Sequence, residues 1–173
     1  MLAIVKLVQS IVKALHSEGT PGQVAAGLAL GAVVGLLPAG FLTVVVIAAI
    51  MLLNVSFPGA LLGMALFTPI GFLLDGVFDA LGRRLLLESP SLVPLWTSAY
   101  NAQIVPLTGF NNTVMMGAIA TCVVAFVPLY LGGRWGIARY RATIGERIRN
   151  SAWYKSVTAS KLYNVYRLFR PET

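Results

Sequence analysis

The sequence has few of the residues that build metal sites, disulfides and catalytic centres. It contains one cysteine, Cys122, and one histidine, His16. A lone cysteine inside an apolar run is typical of a small packing residue, and one histidine without a cysteine cluster does not make a structural metal site. The sequence also lacks a Gly-x-Ser-x-Gly nucleophile motif and a glycine-rich phosphate-binding loop with lysine. We therefore predict a protein that is not an enzyme and that holds no metal or other cofactor.

Charged residues are scarce as well. They make up 11% of the chain, compared with about 25% in soluble domains, whereas hydrophobic residues make up 57%, compared with about 45–50%. The length suits one domain, and no stretch in the middle resembles a linker between two. This composition excludes an ordinary soluble domain and, with the apolar runs described below, predicts an all-α integral membrane protein with a single membrane domain.

The excess of positive charge lies at the C-terminus. The net charge is +7, and the residues from 132 onward contain nine lysines and arginines and two glutamates. Because this region adjoins an apolar run, contact with anionic lipid headgroups on the cytoplasmic side is favoured over nucleic-acid binding, although aromatic residues interleave with the cations. We predict a helical, basic cytoplasmic tail over residues 134–173. The residues predicted to meet the membrane surface are Lys6, Lys13, Arg134, Arg139 and Arg141.

Residues 1–17 place their polar side chains at helical spacing along one narrow stripe. Two lysines interrupt the apolar positions and no small-residue cleavage site follows, which does not fit a secretory signal peptide. The pattern predicts an amphipathic helix that lies in the headgroup region of the membrane. His16 continues the polar stripe and is expected to be solvated.

The first long apolar run extends from residue 24 to residue 53 without a charged residue. A membrane-spanning helix needs about 20 residues, so this run is too long for one upright helix and too short for two. Pro38-Ala39-Gly40 interrupts it near the middle, which predicts two half-helices arranged as a re-entrant hairpin or as a strongly broken span. Glycines at four-residue intervals predict a helix-packing face that would also permit self-association, unless they are scattered by chance. These glycines are Gly27, Gly31 and Gly35.

The second apolar run covers residues 57–87 and repeats part of the first. Residues 38–42 and 69–73 both read Pro-x-Gly-Phe-Leu, and two broken segments in corresponding positions are typical of a transporter-like binding site. A half-helix that begins after either glycine would present free N–H groups to a phosphate or carboxylate, with a threonine hydroxyl nearby. Alternatively, the breaks only shape the helix bundle. The candidate binding residues at the two breaks are Pro38, Gly40, Thr43, Thr68, Pro69 and Gly71.

Three ionisable residues, Asp75, Asp79 and Arg83, follow at four-residue intervals on one helical face. Ionisable residues in an apolar segment are functional candidates because they are costly there. Asp75 and Asp79 are therefore further binding candidates, and a deep, unpaired Asp75 would serve as a proton-coupling site. The alternative is a structural ion pair with Arg83 where the helix leaves the membrane.

Residues 88–112 contain three prolines and several aromatic residues, which predicts an interfacial loop. Asn112 or Thr113 can cap the next helix. Residues 114–131 then form the one conventional membrane span, which a Gly-Gly pair ends. The predicted membrane domain covers residues 18–133, and a cytoplasmic C-terminus places the interfacial loop on the periplasmic side.

Several stretches match a known family pattern. Residues 19–31 read Gly-Thr-Pro-Gly-Gln-Val-Ala-Ala-Gly-Leu-Ala-Leu-Gly, followed by Gly-Leu-Leu-Pro at 35–38 and Phe-Thr-Pro at 67–69. In these motifs the chain resembles the uncharacterised bacterial membrane family known as domain of unknown function 2062, and the stretches at 68–75 and 110–114 resemble a subgroup of it. The resemblance implies an inner-membrane protein of bacteria with an outer membrane, with a larger periplasmic envelope protein as a partner. The resemblance does not indicate which activity the protein has.

The leading hypothesis from the sequence is a non-enzymatic inner-membrane component that binds or passes an amphipathic, anionic lipid for a periplasmic partner. One alternative is a small-solute or proton-coupled transporter that uses Asp75 or Asp79. Another is a structural anchor of a membrane complex. The expected partners are membrane lipids, a larger periplasmic envelope protein and a second copy of the chain, and nucleic acid is not expected.

Overall fold

The computed structural model describes residues 19–143. The predicted amphipathic helix over residues 1–17, with Lys6 and Lys13, and the predicted tail beyond residue 143 lie outside the described residues. The described chain forms five α-helices and no β-strand, which confirms the predicted all-α fold. The helices are α1 (Pro21–Leu36), α2 (Phe41–Leu52), α3 (Phe57–Leu86), α4 (Val93–Tyr100) and α5 (Thr113–Thr143), and two 3₁₀ turns cover Pro90–Leu92 and Val105–Thr108.

The described chain divides into two units after Ile137. The described part of the second unit is the last turn and a half of α5, where the Thr143 hydroxyl donates to the Arg139 carbonyl at 2.7 Å. Arg139 is exposed and Arg141 is half-buried. The contacts described below all lie within the first unit.

A capping box starts α1. The Thr20 hydroxyl accepts the Gln23 N–H at 3.2 Å, and the Gln23 side chain accepts the Thr20 backbone N–H at 2.8 Å. These two bonds satisfy groups that a helix start would otherwise leave unpaired. The helix ends at Leu36 because Leu37, which precedes Pro38, has an extended backbone, as residues before proline usually do.

Helices α1 and α2 form a hairpin. The chain reverses at 37–40, and α2 runs back along α1 so that Ile50 packs with Val34. After α2, the Ser56 N–H donates to the Gln23 carbonyl at 3.1 Å, which returns the chain to the level at which α1 begins. With 16 and 12 residues, the two helices are about 24 Å and about 18 Å long, less than a membrane-spanning helix needs. The predicted interruption of the first apolar run is confirmed, in the form of a hairpin.

The second apolar run is not interrupted. Helix α3 is continuous for 30 residues through Pro69, which corrects the prediction of a second broken segment. Proline removes one intrahelical hydrogen bond, but neighbouring helices and hydroxyl side chains allow an apolar helix to accommodate it. The Thr68 hydroxyl donates to the Met64 carbonyl at 2.7 Å, and the backbone of α1 packs against Gly71 one turn later. Thr68, the residue before Pro69, keeps helical geometry, whereas Leu37, the residue before Pro38, is extended. Pro38 therefore follows the end of a helix, and Pro69 lies inside one.

Helices α1 and α3 run parallel and pack backbone against backbone. A Cβ atom at Gly31 would lie 1.9 Å from the Ala60 carbonyl oxygen, and one at Gly63 would lie 2.1 Å from the Leu28 carbonyl oxygen. Real Cβ atoms do not approach other atoms to within 3.0 Å, so each helix requires glycine where the backbone of the other passes. The same holds for Gly27 and Gly35 on α1 and for Gly59 and Gly71 on α3.

Helix α5 runs antiparallel to α3 and packs against it in the same way. A Cβ atom at Gly82 of α3 would lie 1.8 Å from the Thr113 carbonyl oxygen, and one at Gly117 of α5 would lie 1.9 Å from the Phe78 carbonyl oxygen. The far end of α5 reaches the start of α1. There Ile137, which is 4% exposed, packs in one cluster with residues 24 and 25.

The end of α5 corrects a second prediction. The sequence predicted a span over 114–131 that Gly132-Gly133 would end, whereas the helix continues through both glycines to Thr143. Glycine inside a helix is tolerated where it serves packing, and a Cβ atom at Gly133 would already meet Ala25 at 3.5 Å. The predicted boundary between membrane domain and tail therefore falls inside a helix.

The α1–α2 hairpin extends along only about half of α3. Its tip lies beside Gly71, since a Cβ atom there would lie 3.3 Å from the Cα atom of Leu36. From Gly71, α3 continues to Leu86, about 23 Å further. The main cluster of buried side chains sits at the hairpin tip. It consists of Leu36, Leu37, Phe78, Met115, Ala118 and Cys122.

Two helices, α3 and α5, are long and apolar enough to cross a membrane. The core helix of a soluble protein would be mostly buried, but only 22% and 28% of the most apolar windows of α3 and α5 are buried. Large apolar side chains are strongly exposed on α2, α3 and α5, for example Leu52 at 86%, Leu73 at 83% and Val124 at 76%. These exposed surfaces suit lipid better than water and indicate association with a membrane.

Candidate functional site

Three of the predicted binding residues lie at the hairpin tip. Gly40 is exposed and is the N-cap residue of α2, without a capping side chain. The Thr43 hydroxyl donates to the Pro38 carbonyl at 2.7 Å and so closes the turn between α1 and α2. The hydroxyl proton that was predicted to help bind an anion therefore stabilises the hairpin.

Three more predicted residues, Thr68, Pro69 and Gly71, lie beside the tip on α3. Thr68 donates its hydroxyl proton to a carbonyl of its own helix. Because α3 is continuous, the half-helix start predicted after Gly71 does not exist. A Cβ atom at Gly71 would lie 2.7 Å from the Gly35 carbonyl oxygen, so α1 covers this glycine. Gly71 of the second Pro-x-Gly-Phe-Leu stretch is thus covered by Gly35 and Leu36, which precede the first stretch, and Leu36 is buried.

Asp79 joins α3 to α5. Its Oδ2 atom accepts from Arg83 Nη2 at 2.7 Å, and its Oδ1 atom accepts from the Thr113 hydroxyl. Thr113 is available as a donor because Asn112 caps α5, with its Oδ1 atom accepting the Met115 N–H at 3.2 Å. Both carboxylate oxygens of Asp79 therefore hold the two helices and the ion pair together, as in the structural alternative.

Asp75, one turn earlier, has a different environment. It is exposed and forms no hydrogen bond or ion pair with any residue that the structure describes. Phe72, Leu73 and Val77 around it are 74%, 83% and 59% exposed. The two aspartates therefore do not form one site, because one is paired between helices and the other lies within an exposed apolar surface.

The chain between α3 and α5 folds over the end of α3. Trp96 Nε1 donates to the Leu85 carbonyl at 2.9 Å and so satisfies a carbonyl that the last helical turn leaves free. The Trp96 ring lies 6.1 Å from the Phe110 ring at a tilt of 37°, and Phe110 is 6% exposed. The predicted interfacial loop over 88–112 is therefore a folded segment with α4 at its centre.

A cleft of about 500 Å³ opens between this folded segment and the end of α3. It is a wide groove that opens to the outside and not an enclosed cavity. Apolar side chains line part of it, and hydroxyl and amide groups line the rest, so the cleft suits a ligand with an apolar and a polar part. The apolar lining includes Leu87, Val93 and Trp96, and the polar lining includes Thr97, Tyr100 and Asn101.

Arg84 lies on the helix turn before the cleft residue Leu87 and does not itself line the cleft. Arg84 is exposed and forms no ion pair with the described residues, although Glu88 follows one turn later. Leu87, a cleft residue, lies three positions after Arg84 and therefore on the same side of the helix. Arginine binds phosphate and carboxylate groups through its planar fork of N–H donors. The cleft thus combines apolar surface and neutral polar groups, and Arg84 offers a positive charge one helix turn before Leu87.

Sequence reasoning did not single out the cleft residues. Apart from Tyr100, the lining named above carries no titratable side chain, and the contact of Trp96 with Leu85 depends on how residues 88–112 fold back. The available signal was the mixture of aromatic, hydroxyl and amide residues in that segment, which predicted an interface with the headgroup region but not a cleft.

The family model described as "Uncharacterized protein conserved in bacteria (DUF2062)" matches residues 6–144. A protein of Treponema pallidum (strain Nichols), described as "Uncharacterized protein", is 24% identical over 149 residues, which cover 86% of this chain and 91% of that protein. No solved structure matches the chain.

Proposed function

The chain belongs to the DUF2062 family of uncharacterized bacterial proteins, and we propose that it is a non-enzymatic component of the bacterial inner membrane that binds an amphipathic, anionic lipid. The observation that carries this proposal is the cleft of about 500 Å³ with its mixed lining beside Arg84. The proposal extends to passing the lipid to a larger periplasmic envelope protein. Its parts are argued in turn below.

In this proposal α3 and α5 cross the membrane completely. Their 30 and 31 residues make each about 45 Å long, which exceeds the roughly 30 Å of bilayer hydrocarbon. The α1–α2 hairpin begins and ends at one level and extends along about half of α3, so it enters and leaves the membrane on one side. It is therefore a re-entrant hairpin.

The positive charge orients this arrangement. The start of α1 lies beside the far end of α5 near Arg134, which is exposed. Basic residues next to membrane spans collect on the cytoplasmic side. The nine cations from residue 132 onward outnumber Arg83 and Arg84 at the opposite end of α3, so both ends of the described chain are assigned to the cytoplasm. The cleft lies at the opposite end of α3 and α5 and then faces the periplasm.

The position of the cleft suits a lipid. Trp96 and Tyr100 line it near the end of a spanning helix, where amphipathic aromatic side chains are enriched at the headgroup level. An acyl chain would contact Leu87 and Val93, the hydroxyl and amide groups would meet the glycerol and headgroup region, and Arg84 would bind an anionic headgroup. This combination supports a lipid in preference to a fully polar solute.

Of the two aspartates, Asp79 supports the transporter alternative less well, and Asp75 lies on an exposed apolar face of α3 and not in the cleft. Asp79 uses both carboxylate oxygens for Arg83 and Thr113, so it has no free oxygen that faces a transport path. A structural anchor of a membrane complex is the second candidate. It is supported by the closed packing between the hairpin tip and Gly71.

The test is the lipid content of the purified full-length protein. We expect native mass spectrometry of protein in detergent to show bound phospholipid, with phosphatidylglycerol retained in preference to phosphatidylethanolamine. Replacing Val93 with tryptophan fills the cleft and should remove the bound lipid. Leu95→Trp is the matched control, because Leu95 is on the same helix, is 56% exposed against 51% for Val93, and does not line the cleft.

Two further measurements separate the parts of the proposal. Arg84→Gln should abolish the preference for the anionic lipid while retaining binding of the neutral one. Transfer of a fluorescent phospholipid across or out of liposomes would test passage as distinct from binding. The proposal fails if no lipid is bound and none is transferred, or if Val93→Trp and Leu95→Trp have equal effects.

A further inference from the structure

Asp75 is placed where a carboxylate requires a partner. Arg83 and Arg84 mark the headgroup level at the end of α3, and Asp75 precedes Arg83 by eight residues, about 12 Å further into the proposed membrane span. At that depth ionisable side chains nearly always face a protein neighbour or a water-filled cavity, because contact with lipid is costly. Asp75 instead faces outward among the exposed Phe72 and Leu73 and pairs with no described residue.

The surface beside Asp75 has room for another helix. Four other glycines of α3 are covered by the backbone of a neighbouring helix, whereas Gly76 has no atom within 4 Å of the position that a Cβ atom would take. Ala80, one turn later, is exposed and small. Small residues allow helix backbones to approach closely within a membrane. The covered glycines are Gly59, Gly63, Gly71 and Gly82.

The described membrane segments of a second copy of this chain do not offer the complementary charge. Residues 19–82 and 85–133 contain no lysine or arginine, so the hairpin, α3 up to Gly82 and the proposed span of α5 carry no cation at the depth of Asp75. A two-fold dimer through this face would bring two Asp75 carboxylates together, and like charges repel each other.

We propose that the face of α3 formed by Asp75, Gly76 and Ala80 binds a membrane-spanning helix of a different protein, and that this helix carries a lysine or arginine that pairs with Asp75. The exposed Phe72 and Leu73 complete the contact surface. This inference depends on the proposed crossing of the membrane by α3 but not on lipid binding in the cleft.

Site-specific photo-crosslinking in the native membrane tests this inference. A photoreactive amino acid at Leu73 of the full-length protein should capture one other membrane protein. The same amino acid at Val124, which is 76% exposed on α5, is the control and should not capture that protein. We expect Asp75→Asn to lower the capture at least tenfold and Asp75→Glu to retain it.

The identity of the captured chain decides the outcome. Its membrane segment should contain a lysine or arginine, and reversing both charges, with Asp75→Lys and an acidic residue in the partner, should restore the capture that either single change abolishes. Capture of a second copy, capture of lipid alone, or equal capture by the wild-type and Asp75→Asn proteins would overturn the inference.

Retention of the protein in membranes washed with alkaline carbonate is measured in parallel. Release of the protein would refute the crossing by α3, and retention with failed capture would refute the partner alone.

Discussion

Replacing Gly31 with alanine tests the backbone contact on which the α1–α3 pair depends. The new Cβ atom would lie 1.9 Å from the Ala60 carbonyl oxygen, and the limit for real contacts is 3.0 Å. The obstacle is main-chain atoms of a helix, so no side-chain rotation relieves it. The two helices must separate, and the neighbouring contacts of Gly27 and Gly63 are then lost as well.

Two opposing effects set the size of the expected change. Overpacking of this kind typically destabilises a protein by about 1–3 kcal/mol. The higher helix propensity of alanine offsets up to about 1 kcal/mol of this in a water-exposed helix and less where the helix is packed. We expect Gly31→Ala to lower the free energy of unfolding by about 1–3 kcal/mol, and a change of about 1.4 kcal/mol is tenfold in the equilibrium constant.

The buried cysteine provides the assay. Cys122 is 6% exposed at the hairpin tip, so a thiol-reactive fluorophore labels it when the helices separate. Labelling across a titration with sodium dodecyl sulfate measures the stability of the full-length protein in micelles. Gly132→Ala is the matched control because its Cβ atom would meet nothing within 4 Å, and we expect it to be neutral or slightly stabilising. Equal stability of the two variants would refute the close contact between α1 and α3.

Three other predictions use the same preparation or intact cells. Asp79→Asn should lower stability in the labelling assay more than Asp75→Asn, because only Asp79 bonds to both Arg83 and α5; the reverse order would contradict the assigned role. Asn112→Ala should lower stability by about 1 kcal/mol through loss of the α5 cap, and an unchanged midpoint would show that the cap is dispensable. In a cysteine-free background, a membrane-impermeant maleimide should label Asn101→Cys in spheroplasts and Thr143→Cys only after lysis, and the opposite pattern would reverse the proposed orientation.

The sequence predicts those parts of the fold that depend on local chemistry. The interruption around Pro38 and the all-α character follow from residue types and spacing, and the structure confirms them. The four-residue spacing of glycines indicates a packing face, but it does not indicate which helix packs there. That information depends on Gly59 and Gly63, which fit α1 only because the hairpin returns the chain to the start of α1.

Sequence pattern failed where tertiary contacts determine the outcome. Pro69 has the same local motif as Pro38, but α1 supports the helix around it and the chain does not need to reverse there. The Gly-Gly pair at 132–133 reads as a helix end, but the helix continues through both glycines and Gly133 lies beside Ala25. Two further features depend on how the chain between α3 and α5 folds back over the end of α3. They are the hydrogen bond from Thr113 to Asp79 and the cleft. No local sequence pattern encodes that fold.

The half-length hairpin has a consequence for the order in which the protein is built into a membrane. When synthesis has reached Ser56, the described chain contains only α1 and α2, about 24 Å and about 18 Å long, and neither can span the bilayer alone. The glycine face of α1 has no α3 to pack against at that stage. In the proposed topology, the backbone contacts of α1 therefore form after α3 has been inserted, so the packing of the first half of the domain depends on the insertion of a later helix.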